Sequence, residues 1–181
     1  MRKCQHPAPH PDNQRHNYGA ARDQPGAPVP LRGSCRRISV KFEIDGPLIS
    51  VGNWHCTACR KTQGVAFRTH ARVRRSDFRW LAGQHLVQPS QSSPGFHRGF
   101  RARFSAPVVN WNTADSKYGR RNPATPETYD IAVASLDDYP GVTPGFHPFV
   151  AFKAPCFTIT NDLLQFDGFP DKTVTAKCDA P

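Results

Sequence analysis

The chain has 181 residues, of which 38% are hydrophobic, 21% are charged and 18 are prolines. This length suffices for one domain with a sizeable core, and the proline content disfavours long helices. Because no apolar run approaches the roughly 20 residues of a membrane span, and the first residues form no apolar signal segment, we expect a cytoplasmic protein. In that compartment cysteines are thiols or metal ligands rather than disulfides.

The charge is strongly basic, with a formal net value of +10. Between Arg60 and Phe104, ten lysines and arginines stand against one acid, Asp77, so most of the excess lies in the middle of the chain. A basic region attracts nucleic acid, carboxylates and phosphates alike, and it can equally be a solvated surface. No nucleic-acid motif accompanies the charge. We therefore favour a small-molecule substrate, with an anion among the candidates, over nucleic acid.

The chain divides into three parts. Residues 1–30 are rich in Pro, His and Gln and predict a disordered tail, and residues 170–181 predict a loose second tail. Residues 31–169 carry short β-branched and aromatic segments separated by turn residues, which predicts one mainly β domain. The predicted extended segments are 38–44, 48–51, 65–73, 78–81, 86–90, 96–104, 108–111, 129–134, 146–152 and 157–159. Residues 60–64, ending at Gly64, and 161–164 are predicted to form single helical turns.

A Cys-x-x-Cys pair, Cys56 and Cys59, follows the second predicted strand. This spacing can bring two thiolates to one metal ion, or it can form a redox pair. No thioredoxin-like βαβ pattern surrounds the pair, which disfavours the redox role. The other four cysteines are spread unevenly, unlike a small disulfide scaffold: Cys4, Cys35, Cys156 and Cys178.

Several short motifs occur in a characteristic order along residues 31–169. They are Gly33-Ser34-Cys35, Val40-Lys41-Phe42, His55-Cys56-x-x-Cys59-Arg60, Ser93-x-Gly95-Phe96-x-Arg98-Gly99-Phe100, Ala132-x-Ala134-Ser135-Leu136-Asp137-Asp138, His147, Ala154-Pro155 and Leu163. Together they resemble the glutathione-dependent formaldehyde-activating enzyme family, also called the centromere protein V family, which groups with carbon–sulfur lyases. The resemblance implies a β-tent fold of twisted antiparallel sheets. It also implies a structural zinc, a catalytic zinc and activity on thiol adducts of small aldehydes.

The structural zinc motifs of that family are degenerate here. Arg37 stands where the family has the second cysteine of Cys-x-Cys. The family's Phe-Cys-x-x-Cys-Gly reads Phe100-Arg101-Ala102-Arg103-Phe104-Ser105. Only Cys35 survives, and one thiolate cannot hold a tetrahedral zinc. We therefore predict that the structural zinc is absent and that Arg37, Arg101 and Phe104 fill its space.

The catalytic motif is reduced as well. The family's Cys-His-Cys-x-x-Cys begins here with Trp54, which leaves Cys56 and Cys59 as a weak zinc site. Cys156 stands where the family usually has Trp, so we hypothesise that it approaches the pair as a third ligand. An ordinary buried thiol is the alternative.

The remaining candidate groups suggest the chemistry. His55, His97 and His147 can act as acid or base near neutral pH, and Cys56 or Cys59 as nucleophile or acid. Arg98, Arg101 and Arg103 can clamp an anionic substrate, and Trp54 makes the pocket apolar. We expect a divergent, metal-poor family member acting as a lyase, dehydratase or cyclase on a small organic, aromatic or polyketide-like substrate. The alternatives are a zinc-dependent carbon–sulfur lyase acting on glutathione adducts and a basic nucleic-acid-binding module. The residues leave the use of glutathione and the oligomeric state open.

Overall fold

The computed structural model describes residues 30–103, 106–112, 128–138 and 140–170. The two predicted tails lie outside these residues, apart from Pro30 and Pro170. The described part of the chain is mainly β and forms one domain, as predicted. Its strands are β1 (Leu31–Ser34), β2 (Lys41–Ile44), β3 (Ser50–Trp54), β4 (Arg68–Arg74), β5 (Phe78–Ala82), β6 (Val87–Ser93), β7 (Phe96–Arg101), β8 (Ala106–Asn112), β9 (Thr128–Ala132), β10 (Phe146–Pro148) and β11 (Leu164–Phe166).

Two sheets account for all of these strands. The small sheet is antiparallel, with the order β1-β2-β5. The large sheet has eight strands in the order β11-β10-β3-β4-β9-β8-β7-β6. It is antiparallel except at one end, where β10 runs parallel to both β3 and β11. No helix in the described part of the chain is long and apolar enough to cross a membrane.

The core lies between the small sheet and one face of the large sheet, which we call the inner face. On this face small aliphatic side chains lie directly opposite one another in register across β3, β4, β9 and β8: Val51, Ala71, Ile131 and Val109. They belong to the same buried cluster as Phe42, Ile44 and Phe78 of the small sheet. The rings of Phe78 and Tyr129 meet edge to face across the two sheets, with centroids 5.1 Å apart. The opposite face, which we call the outer face, carries the alternate residues of each strand.

The one α-helix of the described residues is α1 (Thr57–Gln63), directly after β3. It begins at Cys56, whose sulfur accepts a hydrogen bond from the Cys59 amide at 3.2 Å. It ends at Gly64, whose φ of 65° lies in the left-handed region that favours glycine. The predicted helical turn ending at Gly64 is therefore confirmed, and it begins earlier than expected.

Several predicted segments differ from the structure; among them, the strand expected over 146–152 ends at Pro148 and is followed by a 3-10 turn over Val150–Phe152. The strand expected over 38–44 begins only at Lys41, because Ile38 has a φ of 58° and its amide bonds back to the Cys35 carbonyl in a tight turn. β1 precedes that turn and was not predicted. Residues 157–159 form no strand, and the helical turn expected at 161–164 is replaced by β11, which begins at Leu164.

Candidate functional site

The end of β3 brings two buried histidines together. The main chain of His55 donates to the Pro148 carbonyl at 3.1 Å, which fixes His55 beside β10. His55 Nε2 then lies 2.9 Å from His147 Nδ1, and His147 Nε2 lies 3.0 Å from Asn161 Oδ1. Both imidazoles are almost completely buried. We call His55, His147 and Asn161 the histidine chain.

The hydrogen bonds of the histidine chain define where its protons lie. Asn161 Oδ1 also accepts the Leu163 amide at 3.3 Å, so this atom is an acceptor and His147 Nε2 donates to it. In a neutral ring His147 Nδ1 is then an acceptor, and His55 Nε2 donates to it. His55 Nδ1 is left with its lone pair. This buried atom has no hydrogen-bond partner among the described residues.

Aromatic rings and cations surround His55. Its ring packs beside Phe67 and Phe157, with centroids at 5.4 and 5.9 Å, and both phenyl groups are partly exposed. Burial, followed by electrostatic repulsion from His147, Lys153 and Arg60, lowers the pKa of His55 to about 4. His55 is therefore neutral at physiological pH, and Nδ1 is free to accept a proton.

The two cysteines that follow His55 are bonded to each other. Cys56 and Cys59 form a disulfide, with their Cα atoms 5.2 Å apart. Cys156 is an exposed free thiol. Among the described residues, no group of three His, Cys, Asp or Glu side chains is arranged to hold a metal ion. The donors predicted for a catalytic zinc, Cys56, Cys59 and Cys156, therefore do not fit that ion in this arrangement.

The position predicted for a structural zinc retains one thiol. Cys35 is buried, accepts the Val40 amide at 3.4 Å and contacts Ser39 Oγ at 3.5 Å. Burial raises the pKa of Cys35, but the hydrogen bonds from Ser39 and the main chain outweigh it and lower the pKa overall. Arg37 is exposed and its main chain hydrogen-bonds to the Cys35 thiol, whereas Arg101 is half-buried and Phe104 lies outside the described residues.

The predicted histidine and arginine candidates do not converge on one site. His97 lies on β7, four strands away from β3, and stacks on Trp111 with centroids 5.4 Å apart. Arg98 follows it and lies on the outer face. Arg101, three residues on, belongs to the opposite face by strand alternation, and Arg103 is exposed in a turn. Of the three predicted histidines, only His55 and His147 meet.

A row of polar residues crosses the outer face, and sequence analysis did not single it out as a site. Its members lie directly opposite one another from β3 to β6: Ser50, Arg72, Asp130, Asn110, Arg98 and Ser90. Arg68 and His70 share this face on β4. The signal available in the sequence was the alternation of Arg68, His70 and Arg72, which marks one face of a strand.

The outer-face cations are buried to an unusual degree. Arg68 is 1% exposed, His70 7% and Arg98 8%, and Asn110 between them is fully buried. The Asn110 amide oxygen accepts from an Arg68 terminal nitrogen at 3.3 Å, and rotating the amide by 180° gives bonds from both terminal nitrogens at 3.1 Å. In either orientation, Asn110 and Arg68 are partners.

Trp54, predicted to line the substrate pocket, lies on the outer face directly opposite Arg68. Its ring contacts those of Phe149 and Phe169, with centroids 5.8 and 6.0 Å apart. His55, the next residue, lies on the inner face together with Phe67. Trp54 therefore borders the buried arginines and does not line the histidine chain.

Comparison with known protein families matches residues 30–151, more than half of the chain, to the family described as "Glutathione-dependent formaldehyde-activating enzyme". Among solved structures, the chain is similar to a Rhodobacter sphaeroides protein, with 19% identity and a TM-score of 0.45 over 58% of this chain and 86% of that one. No curated protein sequence matches. The chain belongs to the glutathione-dependent formaldehyde-activating enzyme family.

Proposed function

We propose that this family member is an enzyme of the lyase or dehydratase type, in which His55 moves a proton on a small organic substrate. The observation that carries the proposal is the histidine chain, which ends at a buried, unbonded Nδ1 lone pair. A neutral imidazole with a defined tautomer can accept a proton near neutral pH, and because its pKa is about 4 it is a weak base that suits a C–H bond activated by a neighbouring carbonyl group.

The proposed reaction is an elimination. His55 Nδ1 takes a proton from a substrate carbon, the electron pair of that C–H bond forms the new double bond, and the leaving group departs from the neighbouring carbon. The leaving group then receives the proton from His55 Nδ1, so the enzyme returns to its starting state. His55 is the catalytic residue. His147 and Asn161 are positioning residues, because they touch His55 or each other and stabilise the imidazolium through the His55 Nε2–H bond.

The surroundings of His55 favour an apolar substrate. Because the ring is fully buried, a substrate can reach Nδ1 only when a neighbouring group moves, and the Phe67 and Phe157 rings pack beside it. Phe157 lies three residues after Ala154 in a segment without regular secondary structure, whereas Phe67 directly precedes β4. We therefore propose that Phe157 swings away and that its ring packs on an aromatic or hydrocarbon part of the substrate.

Two probes test the reaction class and share one product. They are the β-hydroxy ketone that loses water to give benzylideneacetone, and the β-thioether of the same ketone with glutathione, which loses the thiol. Formation of the conjugated ketone is followed by ultraviolet absorbance. We expect His55→Asn to slow turnover by about 10²- to 10⁴-fold, the range for a general base. His97→Asn is the matched control, since His97 is a distant imidazole, and should retain full turnover.

The two probes also separate the two enzymatic alternatives. Faster loss of water supports the dehydratase, and faster loss of glutathione supports a carbon–sulfur lyase, which the family membership also favours. Turnover of neither probe by the unmodified protein, or equal turnover by His55→Asn, would contradict the proposal. Zinc content measured on the same samples tests the zinc-dependent alternative, which requires about one ion per chain.

A further inference from the structure

The outer face holds more buried positive charge than the described residues neutralise. Arg72 is paired, since its Nε lies 2.8 Å from Asp130 Oδ1. Asp130 is the only carboxylate in the row that runs from Ser50 to Ser90 across the described strands. Arg68 and Arg98 have no ion-pair partner among the described residues. Burying a charge without a counter-charge is costly, so a folded protein normally pairs it or leaves it in water.

The two guanidinium groups also hold unused donors. Arg68 Nε, Arg98 Nε and Arg98 Nη1 are buried and have no hydrogen-bond partner among the described residues, and the same holds for His70 Nε2. Arg98 instead lies over the Phe96 ring, with 5.0 Å from its central carbon to the ring centroid. Unsatisfied buried donors are rare in folded proteins and call for a partner.

The electrostatics of the row agree with this geometry. Burial and the neighbouring charge of Arg98 lower the pKa of Arg68 to about 9, against the opposing effect of Asp130. Burial also lowers the pKa of Arg98. For Arg72 the direction is opposite, because the Asp130 charge raises its pKa. The Asp130 charge therefore dominates for Arg72 and is outweighed for Arg68.

From these observations we propose that the outer face is a binding site for the oxyanion group of a small ligand, a carboxylate or a phosphate, held by Arg68 and Arg98 on either side of Asn110. Guanidinium groups present several N–H donors in a fixed geometry that matches both anions. His70 Nε2 supplies a further donor if that nitrogen carries the ring proton. The position of Trp54 beside Arg68 gives the site an aromatic border.

This site is separate from the proposed catalytic site. Trp54 and Arg68 lie on the outer face, whereas His55 and Phe67, their chain neighbours, lie on the inner face. The anion site therefore stands whether or not the histidine chain is catalytic. His55→Asn should leave anion binding unchanged, and a variant of Arg98 should leave the tautomer of His55 unchanged, as read from the ¹⁵N spectrum of the imidazole.

The test uses thermal unfolding of the full chain at constant ionic strength. Sodium phosphate and sodium benzoate are titrated separately against sodium chloride. An anion that binds only the folded state raises Tm, and above Kd the rise continues with the logarithm of the anion concentration. A rise with phosphate alone identifies a phosphate site, and a larger rise with benzoate at equal concentration identifies an organic carboxylate next to Trp54. No rise beyond that in chloride for either anion would overturn the proposal.

Variants assign the effect to the residues. We expect Arg68→Met and Arg98→Met each to weaken the apparent affinity for the anion at least about tenfold, the equivalent of one lost charge-assisted hydrogen bond. Arg36→Met, which removes an exposed arginine, should change the apparent affinity for the anion less than about twofold. In chloride alone, Arg98→Met should match or exceed the parent in Tm, because it removes an uncompensated buried charge. Equal anion affinity in Arg98→Met and Arg36→Met would contradict the assignment.

A measurement on the unmodified protein covers the case in which a variant fails to fold. The Nε–H protons of Arg68 and Arg98 should exchange more slowly with water when phosphate or benzoate is added, because each gains an acceptor. Unchanged exchange at a high concentration of either anion would overturn the proposal.

Discussion

His55 and His147 share a single hydrogen bond of 2.9 Å between two ring nitrogens, and that bond has room for one proton. Asn161 and the Leu163 amide determine which ring supplies it. The pair is therefore a directed chain and not a symmetric contact. Its open end, His55 Nδ1, is the only nitrogen of the two rings without a hydrogen-bond partner among the described residues.

The low pKa of His55 predicts a loss of stability in mild acid. Its pKa is about 4 in the folded protein, against 6.5 for an unperturbed histidine. Between these values the unfolded chain binds more protons, so the free energy of unfolding should fall as the pH drops from 6.5 to 4. The full difference amounts to at most about 3 kcal/mol.

Urea denaturation across this pH range measures the effect. His55→Asn should flatten the pH dependence of the unfolding free energy relative to the parent. Part of the slope should remain, because burial also lowers the pKa of His70 well below its ordinary value. His97→Asn serves as the control and should keep the parental slope. The same slope in the parent and in His55→Asn would contradict the assigned pKa.

The four cysteines of the described residues should differ in reactivity. In the folded, non-reduced protein, iodoacetamide should modify Cys156 rapidly, because it is an exposed thiol, and Cys35 only after unfolding. Cys56 and Cys59 should react only after reduction, since they form a disulfide. Peptide mass mapping reads all four sites at once. Labelling of Cys56 or Cys59 without a reductant would show that the pair is open.

Gly33 allows the small sheet to approach the rest of the core. A Cβ atom there would lie 2.7 Å from the Ser135 carbonyl oxygen and would overlap the Phe42 ring. Gly33→Ala should therefore destabilise the protein by about 1–3 kcal/mol, the usual range for overpacking. Gly145→Ala is the matched control, since no atom lies within 4 Å of its added Cβ, and should change stability by less than about 1 kcal/mol. Equal unfolding midpoints for the two variants would refute this reading of the contact.

Glu43 holds the three strands of the small sheet together through its carboxylate. It is buried and accepts from Arg32 on β1 at 3.4 Å and from Arg79 on β5. Both arginines are largely exposed, so water screens the pairs, and Glu43→Gln should cost only about 1 kcal/mol. Asp162→Asn changes an exposed carboxylate and should be neutral in the same urea titration. The difference between the variants should shrink in 1 M salt, where the screening length is about 3 Å.

The local patterns of the chain predicted most strands but not how they meet. Alternation identified β4, because Arg68, His70 and Arg72 recur every second residue. Burial of that cationic row depends on Asn110 and Asp130, which lie about forty to sixty positions away and whose pairing no local pattern records. The same limit applies to His55 and His147: both were predicted as acid–base groups, but their contact requires the parallel pairing of β3 with β10.

Other differences between the predictions and the structure arise because one sequence pattern is compatible with two structures. The spacing of Cys56 and Cys59 suits a shared metal ion and a disulfide equally well, since both need two sulfurs close together at a helix start. Ile38 continues a period-two pattern, yet its left-handed backbone ends the extended run. A β-branched residue rarely adopts that conformation, so residue preferences alone would not predict a left-handed backbone at Ile38.

Trp54 and His55 are chain neighbours, yet one borders the proposed anion site on the outer face and the other belongs to the histidine chain on the inner face. Because side chains alternate along an extended segment, displacing β3 by one position against β4 would exchange the two environments, placing the imidazole among the arginines and the indole against Phe67. Inserting a single residue within β3 is therefore a far more disruptive change than its size suggests.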